Sequence, residues 1–220
     1  MNKIKKVLAI IIVVIVLLGV LVTLGIGNYF VNYAIARSGN GGNREIKEDS
    51  KIEVLSEDEQ IIENNRKSAS ESAQNWASNI TNKTVEIQAN DGVTLRGTEY
   101  ITDENSENWA IVLHGYRAEP KSVLTIGEHF SEKGYNVLIP SMRACADSDG
   151  EFVGMGWLDK DDLKCWINLV LAENSNAKII LHGSSMGAAA VLMASGDELP
   201  SNVNAIIADS GYTSVWDIFA

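Results

Sequence analysis

Positive charge is scarce in this sequence. Its 220 residues include 18 Lys and Arg against 29 Asp and Glu, a formal net charge of −11. All 29 acidic residues and 15 of the 18 basic ones follow position 27, so that part of the chain carries a formal charge of −14. A body this acidic repels phosphate backbones and anionic headgroups. We therefore do not expect a protein that binds nucleic acid.

Cysteine and histidine are also rare. The two cysteines, Cys145 and Cys165, and the three histidines form no cluster with the spacing of a zinc site. We expect neither a bound metal nor another cofactor. An extracytoplasmic location would permit a disulfide, although two thiols in separate elements are more often unpaired, so the sequence leaves both states open.

Charged residues are missing from one long stretch, residues 7–27. At ~1.5 Å per residue, a helix of this length spans roughly the ~30 Å hydrocarbon core of a bilayer. The alternative is a cleavable signal peptide, whose apolar region would be ~7–15 residues long. Ala34 and Ala36 form an Ala-x-Ala pair typical of a cleavage site, but they lie well past the apolar stretch. We expect residues 1–36 to be an uncleaved membrane anchor that contacts lipid through residues 7–27.

The lysines at the N-terminus set the expected orientation. Lys3, Lys5 and Lys6 directly precede the apolar stretch, whereas the basic residues on its far side are more dispersed. Short flanking segments rich in lysine stay in the cytoplasm. We therefore expect a single-pass protein of the cell membrane with a cytoplasmic N-terminus and an extracytoplasmic body.

Residues 37–82 predict a spacer and a polar helix. The Gly/Asn-rich segment 38–43 is typical of a flexible linker. Ser56-Glu-Asp-Glu59 has the form of a capping box, and apolar residues recur at helical spacing from Ile62 to Ile80. The thin apolar stripe favours a helix that packs on the domain over one that binds a partner.

Residues 83–220 have the pattern of an α/β domain. Two strand-like stretches joined by the turn signal Asn90-Asp91-Gly92 come first, and strands then alternate with helices. The predicted strands are 84–89, 93–100, 109–113, 135–139, 178–182 and 203–208, and the predicted helices are 120–133, 157–172 and 186–195. This order predicts a doubly wound, mostly parallel sheet with helices on both faces. We expect the hairpin at one edge and strands 109–113 and 178–181 near the centre.

The segment Gly183-Ser-Ser185-Met-Gly187 fits the pattern G-x-S-x-G. It follows a predicted buried strand and opens a predicted helix, which is the context that a nucleophile elbow requires. The flanking glycines leave room for the tight bend, and the start of the helix stabilises negative charge near the serine. The alternative is a glycine-rich turn with an idle serine. We predict that Ser185 is a catalytic nucleophile.

A second motif, His114-Gly115-Tyr116, follows the strand 109–113. Acyl transfer needs two N–H donors aimed at the developing oxyanion, one from the residue after the nucleophile and one from the loop after this strand. We expect these donors to be the backbone N–H groups of Met186 and Tyr116. His114 is predicted to brace the loop rather than to act as a base.

Residues 84–220 resemble the N-terminal two-thirds of an α/β-hydrolase core. They are similar to the bacterial membrane-anchored branch related to serine aminopeptidases and prolyl-oligopeptidase-like hydrolases. The residues that carry the resemblance are His114–Tyr116, Asn136–Pro140 with Arg143 and Asp147–Gly150, the elbow 183–187, and Ala208–Thr213. The resemblance implies a serine hydrolase that cleaves a small ester or peptide substrate through an acyl-enzyme.

One loop departs from that family. The family form is Arg-Gly-His-Gly-x-Ser, but here Ala144, Cys145 and Ala146 stand between Arg143 and Asp147. Because this loop packs beside the active site in the family, we expect a pocket of different shape.

The rest of a catalytic triad is not evident. In this fold the order along the chain is Ser, then acid, then His. The three histidines all precede Ser185: His114, His129 and His182. Asp209, after the strand 203–208, is a possible acid, but in this branch the acid follows the next strand, so a structural role in the following turn is the stronger alternative. We expect the chain to lack the last core strands, the acid and the His. The alternative to a working enzyme is an inactive truncated hydrolase or a membrane-tethered binding module.

Overall fold

The computed structural model describes residues 3–37 and 56–219. The predicted linker 38–43 lies outside the described residues. In chain order the elements are α1 (Lys3–Ile35), α2 (Glu57–Asn79), β1 (Thr81–Gln88), β2 (Thr94–Ile101), β3 (Asn108–Leu113), a 3₁₀ turn (Pro120–Val123), α3 (Leu124–Glu132), β4 (Asn136–Pro140), α4 (Asp159–Glu173), β5 (Lys178–Ser184), α5 (Met186–Ser195), β6 (Val203–Asp209) and α6 (Val215–Phe219).

Helix α1 is longer than the apolar stretch that predicts it. It continues eight residues beyond Gly27, because residues 28–35 remain mostly apolar or aromatic and contain no proline. Within α1, Lys6–Ile35 is long and apolar enough to cross a membrane, with a mean hydropathy of 3.5 in its most apolar window and none of that window buried. By length and composition alone, a membrane anchor and a signal sequence both fit this helix.

The six strands form one mixed sheet in the order β1-β2-β4-β3-β5-β6. The hairpin β1–β2 is antiparallel and adds to β4 in antiparallel fashion, whereas β3 pairs in parallel with β4 and β5, and β5 pairs in parallel with β6. The sequence-based expectation of a mostly parallel sheet with the hairpin at one edge is confirmed. Strands β3 and β5 both lie inside the sheet, as predicted.

Among the strands, the largest difference from the predicted boundaries is in β1. This strand begins at Thr81, three residues before its predicted start, because the whole of β2 is paired and Thr81 lies opposite Ile101. The first four residues of β1 are exposed at the sheet edge, so no apolar alternation marks them in the sequence. Pairing with a neighbour, rather than burial, extends this strand.

The alternating residues of the central strands divide the core into two layers. Trp109, Ile111 and Leu113 of β3 pack in the cluster that includes side chains of α4 and α5. Ala110 and Val112 of the same strand pack on the other face with α2 and α3. Side chains two apart on a strand share a face, and each large one that is fully buried contributes about 1.5–3 kcal/mol.

Helix α2 begins at the predicted capping box and packs by its C-terminal half. Ser56 accepts the N–H of Glu59, whose carboxylate accepts the N–H of Ser56. Near the other end, the ring of Trp76 packs on Gly127 of α3 and lies 4.8 Å from the ring of Tyr100. The apolar stripe was expected to pack along its length from Ile62, but Ile62 is 52% exposed. The helix meets the body only in its C-terminal part, where Ser72 donates to Glu128 and Ala73 is buried.

Candidate active site

The segment between β5 and α5 has the geometry of a nucleophile elbow. Ser185 has φ +53° and ψ −112°, a conformation that is strained for a residue with a Cβ. Its N–H donates to the carbonyl of Asp209 at 2.8 Å, which ties the turn to the end of β6. Ser185 is exposed, whereas Met186 behind it is fully buried. The strain is therefore maintained by the packing around the turn, and it holds the serine at the surface.

The two glycines of the elbow are required sterically. A Cβ on Gly183 would lie 2.2 Å from the carbonyl carbon and oxygen of Gly187, and one on Gly187 would lie 2.5 Å from the carbonyl oxygen of Leu113. Both contacts are with backbone, which has no free rotation to relieve them. These positions therefore accept only glycine, as the motif predicts.

The loop after β3 lies directly against the serine. A Cβ on Gly115 would be 3.4 Å from the Ser185 Cβ and 3.8 Å from its Oγ. Met186 is the first residue of α5, where a backbone N–H has no partner within the helix. The two segments predicted to supply oxyanion donors, through Tyr116 and Met186, are thus brought together on either side of Ser185.

His114 is completely buried and uses both ring nitrogens. Its Nε2 accepts the backbone N–H of Met142 at 3.0 Å, so Nδ1 carries the proton and donates to the carbonyl of Gly115 at 2.9 Å. Burial lowers the pKa of His114, which keeps the ring neutral. These bonds fix the loop after β3 to the loop after β4, the bracing role expected from the sequence.

The other two histidines are placed away from the Ser185 hydroxyl. His129 is exposed on α3 and lies 3.3 Å from the carboxylate of Glu132. His182 points from β5 to the α3 side of the sheet, where its ring meets the edge of Phe130. Burial lowers the pKa of His182. None of the three histidines, all of which lie in the described part of the chain, is hydrogen-bonded to Ser185.

Asp209 supports the elbow mainly through its backbone. Its carbonyl accepts the Ser185 N–H, and its exposed carboxylate accepts the hydroxyl of Ser210 at 2.9 Å. Both contacts are the kind that a structural residue of the turn makes. Its use as a catalytic acid stays a possibility inferred from sequence position.

The loop between β4 and α4, residues 141–158, is fastened by Arg143. The guanidinium donates two bonds to the carboxylate of Asp162, at 2.9 and 2.6 Å, and two to Asp91 in the hairpin turn, at 2.6 and 3.2 Å. Arg143 and Asp162 are both almost fully buried. Breaking a buried ion pair by removal of one partner typically costs about 3–5 kcal/mol, so Arg143 holds three separate parts of the body together.

The same loop contains strain that the sequence analysis did not detect. Ala144 has φ +57° and Ala146 has φ +42°. In the family form Arg-Gly-His-Gly-x-Ser these two positions are glycine, and here alanine occupies them in a left-handed backbone. The signal was present in the substitution pattern, but alanine by itself suggests no positive φ. Cys145, which lies between these alanines, is a free thiol. Cys165 is also free, so the two cysteines are not joined to each other.

The C-terminal end of α1 is joined to this site, which the sequence did not predict. Residues 33–37, the exit segment, place the last carbonyls of α1 beside loops of the body. Tyr116 Oη donates to the carbonyl of Ala34, and Arg117 Nη2 donates to that of Tyr33 at 2.7 Å. The last four carbonyls of a helix lack intrahelical partners, so the loop after β3 caps α1.

The exit segment then continues as a short strand. Ala36 forms an antiparallel bridge with Phe152, and on either side Val153 N–H donates to the Ile35 carbonyl and Arg37 N–H to the Glu151 carbonyl, at 2.7 and 2.8 Å. Ala36 is only 5% exposed. The apolar helix and the body therefore meet through specific backbone bonds next to the serine.

A strained, exposed serine between a parallel strand and a helix, with a backbone loop closing over it, is the arrangement of the α/β hydrolases. Residues 109–220, half of the chain, match the alpha/beta hydrolase fold family, and the chain belongs to that family. The fold predicted from the sequence is thus confirmed.

Relatives of known structure include an esterase. The chain is 28% identical to esterase Pf2001 of Pyrococcus furiosus, with a TM-score of 0.55 over 63% of this chain and 52% of the esterase. It is 25% identical to the alpha/beta hydrolase GrgF of Penicillium sp. sh18, with a TM-score of 0.50 over 58% of this chain and 45% of GrgF. Over 119 residues it is 29% identical to YqkD of Bacillus subtilis strain 168, an uncharacterized protein, covering 54% of this chain and 39% of YqkD. The chain spans about half the length of these relatives, or less.

Proposed function

We propose that this chain is the nucleophile-bearing part of a membrane-anchored serine hydrolase that cleaves carboxylic esters. The observation that carries the proposal is the backbone of Ser185, held at φ +53° with its side chain exposed and the Gly115 backbone in contact with it. Strain of this kind persists where surrounding structure enforces it and is concentrated at functional sites. The similarity to an esterase favours an ester over a peptide bond as the substrate.

The chemistry follows from this geometry. The Ser185 hydroxyl attacks the ester carbonyl, the alcohol leaves, and water then hydrolyses the acyl-enzyme. The N–H groups of Met186 and Tyr116 stabilise the oxyanion of each tetrahedral intermediate, an interaction whose loss typically lowers the rate by about 10²–10³-fold for one donor. The positive end of α5 adds to this stabilisation.

Full activity also needs a general base, since a serine hydroxyl is a weak nucleophile at neutral pH. His114 is excluded because both of its nitrogens are engaged, and His182 faces the α3 layer. The order of the triad in this fold places the acid and the His after the nucleophile. We propose that the active protein supplies them from sequence beyond residue 220, with Asp209 as the weaker candidate for the acid.

Labelling with a fluorophosphonate probe tests the nucleophile. In a form extended by the coding sequence that follows residue 220, we expect strong labelling that maps to Ser185 and disappears in Ser185→Ala. The matched control is Ser184→Ala, which removes the neighbouring hydroxyl of the same motif and should retain labelling. We expect the 220-residue chain to label at least ~10³-fold more slowly, as loss of the triad base predicts.

Two outcomes would contradict this assignment. Labelling that survives Ser185→Ala would show that the nucleophile is another residue. Strong labelling of the 220-residue chain would show that a base already present serves Ser185. An extended form that binds esters but neither labels nor hydrolyses them would favour the membrane-tethered binding module.

We further propose that α1 stays in the mature protein as a single membrane span with a cytoplasmic N-terminus. The support is the burial of Ala36 in its bridge with Phe152, which makes the Ala-x-Ala pair part of the folded body rather than an accessible cleavage site. After alkaline carbonate extraction we expect the protein in the membrane pellet with residues 7–27 intact. Release to the supernatant, or a mature N-terminus at Arg37, would show that the helix is a signal peptide.

A further inference from the structure

A cavity of about 240 Å³ lies where the exit segment meets the oxyanion loop. We call it the exit pocket; its lining residues are Arg37, Arg117, Ala118, Glu119, Ala144, Cys145 and Ala146. It is close to the nucleophile, because Arg117 is two residues from Gly115, and two residues reach at most ~7 Å. The pocket thus adjoins the site where an ester would react.

Two arginines give this pocket positive charge within an acidic protein. Arg37 donates through Nη1 to the carbonyl of Ser148 at 2.7 Å and through Nη2 to that of Ala146 at 2.9 Å, which fixes its guanidinium at the pocket wall. Glu119 does not cancel this charge locally, since its exposed carboxylate pairs with Lys121 at 2.7 Å. Cys145 contributes no negative charge, because burial raises the pKa of its thiol to about 11.

Arg117 has a donor without an acceptor. Its Nε is buried and has no hydrogen-bond partner within the described chain, although Nη2 is bonded to Tyr33. Leaving a charged donor buried and unpaired is more unfavourable than leaving a neutral one so. An anionic oxygen in the pocket would remove this penalty, and guanidinium groups are well suited to phosphate oxygens.

Backbone strain is concentrated around the same cavity. Six non-glycine residues of the described chain have positive φ, and three of them line the exit pocket: Arg117, Ala144 and Ala146. A left-handed conformation is unfavourable for such a residue, because its Cβ crowds the following carbonyl oxygen. Strain of this kind is typically retained at functional sites and ligand clamps. Its presence around the exit pocket therefore indicates that this pocket binds a ligand.

The position of α1 indicates where the anion comes from. If residues 7–27 fill the hydrocarbon core, the eight residues 28–35 extend ~12 Å further, through a headgroup layer that is roughly 5–8 Å deep. Exposed Tyr29, Phe30 and Tyr33 on this part of the helix are the side chains typical of that interface. The exit pocket therefore lies within a few ångströms of the outer edge of the headgroup layer, where lipid phosphate is the abundant anion.

We propose that the exit pocket binds the phosphate group of a glycerophospholipid and so places one of its acyl esters at Ser185. This inference rests on the proposed ester hydrolysis. In the reaction Ser185 Oγ bonds to the acyl carbon, the glycerol oxygen leaves with a proton as the lysolipid alcohol, and water then releases the fatty acid. The acidic body would be repelled by an anionic membrane at a distance, so recognition of phosphate depends on the two arginines at contact range.

Native mass spectrometry of the 220-residue protein in maltoside micelles, which contain no phosphate, tests the binding directly. The probes are phosphatidylglycerol, diacylglycerol with the same acyl chains, and inorganic phosphate. We expect phosphatidylglycerol to bind, and its affinity to fall at least tenfold in Arg37→Gln and in Arg117→Gln. Arg66→Gln, which removes an exposed arginine of α2, is the control and should bind as the wild type does.

Because Arg117 also caps α1, Arg117→Gln could unfold the junction. Ala118→Asp leaves both arginines in place and adds a competing carboxylate to the pocket wall, so the same loss of affinity is expected from it. Equal affinities of the wild type, Arg37→Gln and Ala118→Asp for phosphatidylglycerol would overturn the proposal. So would equal binding of diacylglycerol, or binding of inorganic phosphate as tight as that of the lipid, which would make the ligand a free anion.

The binding test does not depend on catalysis. Ser185→Ala should bind phosphatidylglycerol as the wild type does. Lost lipid binding with intact fluorophosphonate labelling in the extended form would reject the phosphate site alone. Intact, arginine-dependent lipid binding without labelling of Ser185 would reject the hydrolase and leave a lipid-binding module.

Discussion

The elbow around Ser185 and the loop around Cys145 are both turns that hold non-glycine residues at positive φ, but they accommodate them differently. In the elbow, glycine occupies the two positions where a Cβ would collide with backbone, and only the serine is strained. In the β4–α4 loop, Ala144 and Ala146 are strained themselves; Ala144 is buried in the core, whereas Ala146 is exposed. The first turn tolerates no change in its glycines, whereas strain in the second could be relaxed by glycine at the exposed position 146.

The largest loss of folding stability is expected from a substitution at Gly183. Gly183→Ala would place a Cβ 2.2 Å from the Gly187 carbonyl, so the elbow cannot form without moving β5 or α5. We expect a loss of ~4 kcal/mol or more, the range reserved for severe steric defects, in urea unfolding followed by tryptophan fluorescence. The control is Gly196→Ala, where φ is −80° and the nearest atom is 3.6 Å away; it should be neutral or stabilise by up to ~1 kcal/mol. A mild effect at Gly183 would mean that the elbow is not rigid.

The second largest effect on stability is electrostatic and is expected from Asp159, the first residue of α4. Asp159 is 2% exposed and accepts the N–H of Gly156, and burial raises its pKa to about 7. Between about pH 4 and pH 7 the native state therefore keeps Asp159 protonated, whereas the carboxyl group is ionised in the unfolded chain. As the pH rises from about 4 to 7 the native state should lose stability on the order of 4 kcal/mol from this group, and the loss should be complete above pH 7.

Asp159→Asn isolates that contribution, because asparagine does not titrate. We expect the variant to match the wild type near pH 4 and to be more stable at pH 8. Asp161→Asn, which alters the neighbouring ion pair with Lys164 on the surface of α4, should change stability by less than about 1 kcal/mol at both pH values. A variant less stable than the wild type at pH 8 would show that the Asp159 carboxylate is charged and well paired.

The smallest change in folding stability is expected from alanine-to-glycine substitutions in the strained β4–α4 loop. Ala146→Gly removes a left-handed penalty of ~1–2 kcal/mol but increases the entropy of the unfolded chain by ~0.4–1 kcal/mol. We expect a net stabilisation of about 0.5–1 kcal/mol. Ala144→Gly relieves the same strain but also removes a buried methyl group, so it should stabilise less or destabilise. Ala118→Gly, in the same pocket but without positive φ, should instead destabilise. Destabilisation by Ala146→Gly would mean that the methyl group contributes packing that outweighs the strain.

The elbow could be predicted from the sequence because its steric requirements are local. Glycine at 183 and 187 follows from contacts within a few residues and with the adjacent strand, and the strands around them carry a clear apolar pattern. The place of the hairpin at one edge and of β3 and β5 inside the sheet also followed, from the hairpin turn and the short buried runs. The strain at Ala144 and Ala146 was not predicted, because alanine is compatible with any ordinary backbone.

The junction of α1 with the body could not be predicted for a different physical reason. Its bonds join Tyr116 and Arg117 to carbonyl oxygens more than 80 residues away. A backbone carbonyl is present at every residue, so such contacts leave no pattern of residue types. The buried Asp159 was missed similarly, since its depth depends on how the loop before α4 folds over it.

The capped end of α1 also determines how far the serine can travel. Had residues 38–55 been the only connection between helix and body, a flexible linker of that length would have an r.m.s. span of roughly 25 Å. The bonds at Ala34, Ala36 and Arg37 bypass that segment. If α1 spans a membrane as proposed, these bonds hold Ser185 at one height above the bilayer, where it would meet a lipid substrate by lateral diffusion in two dimensions.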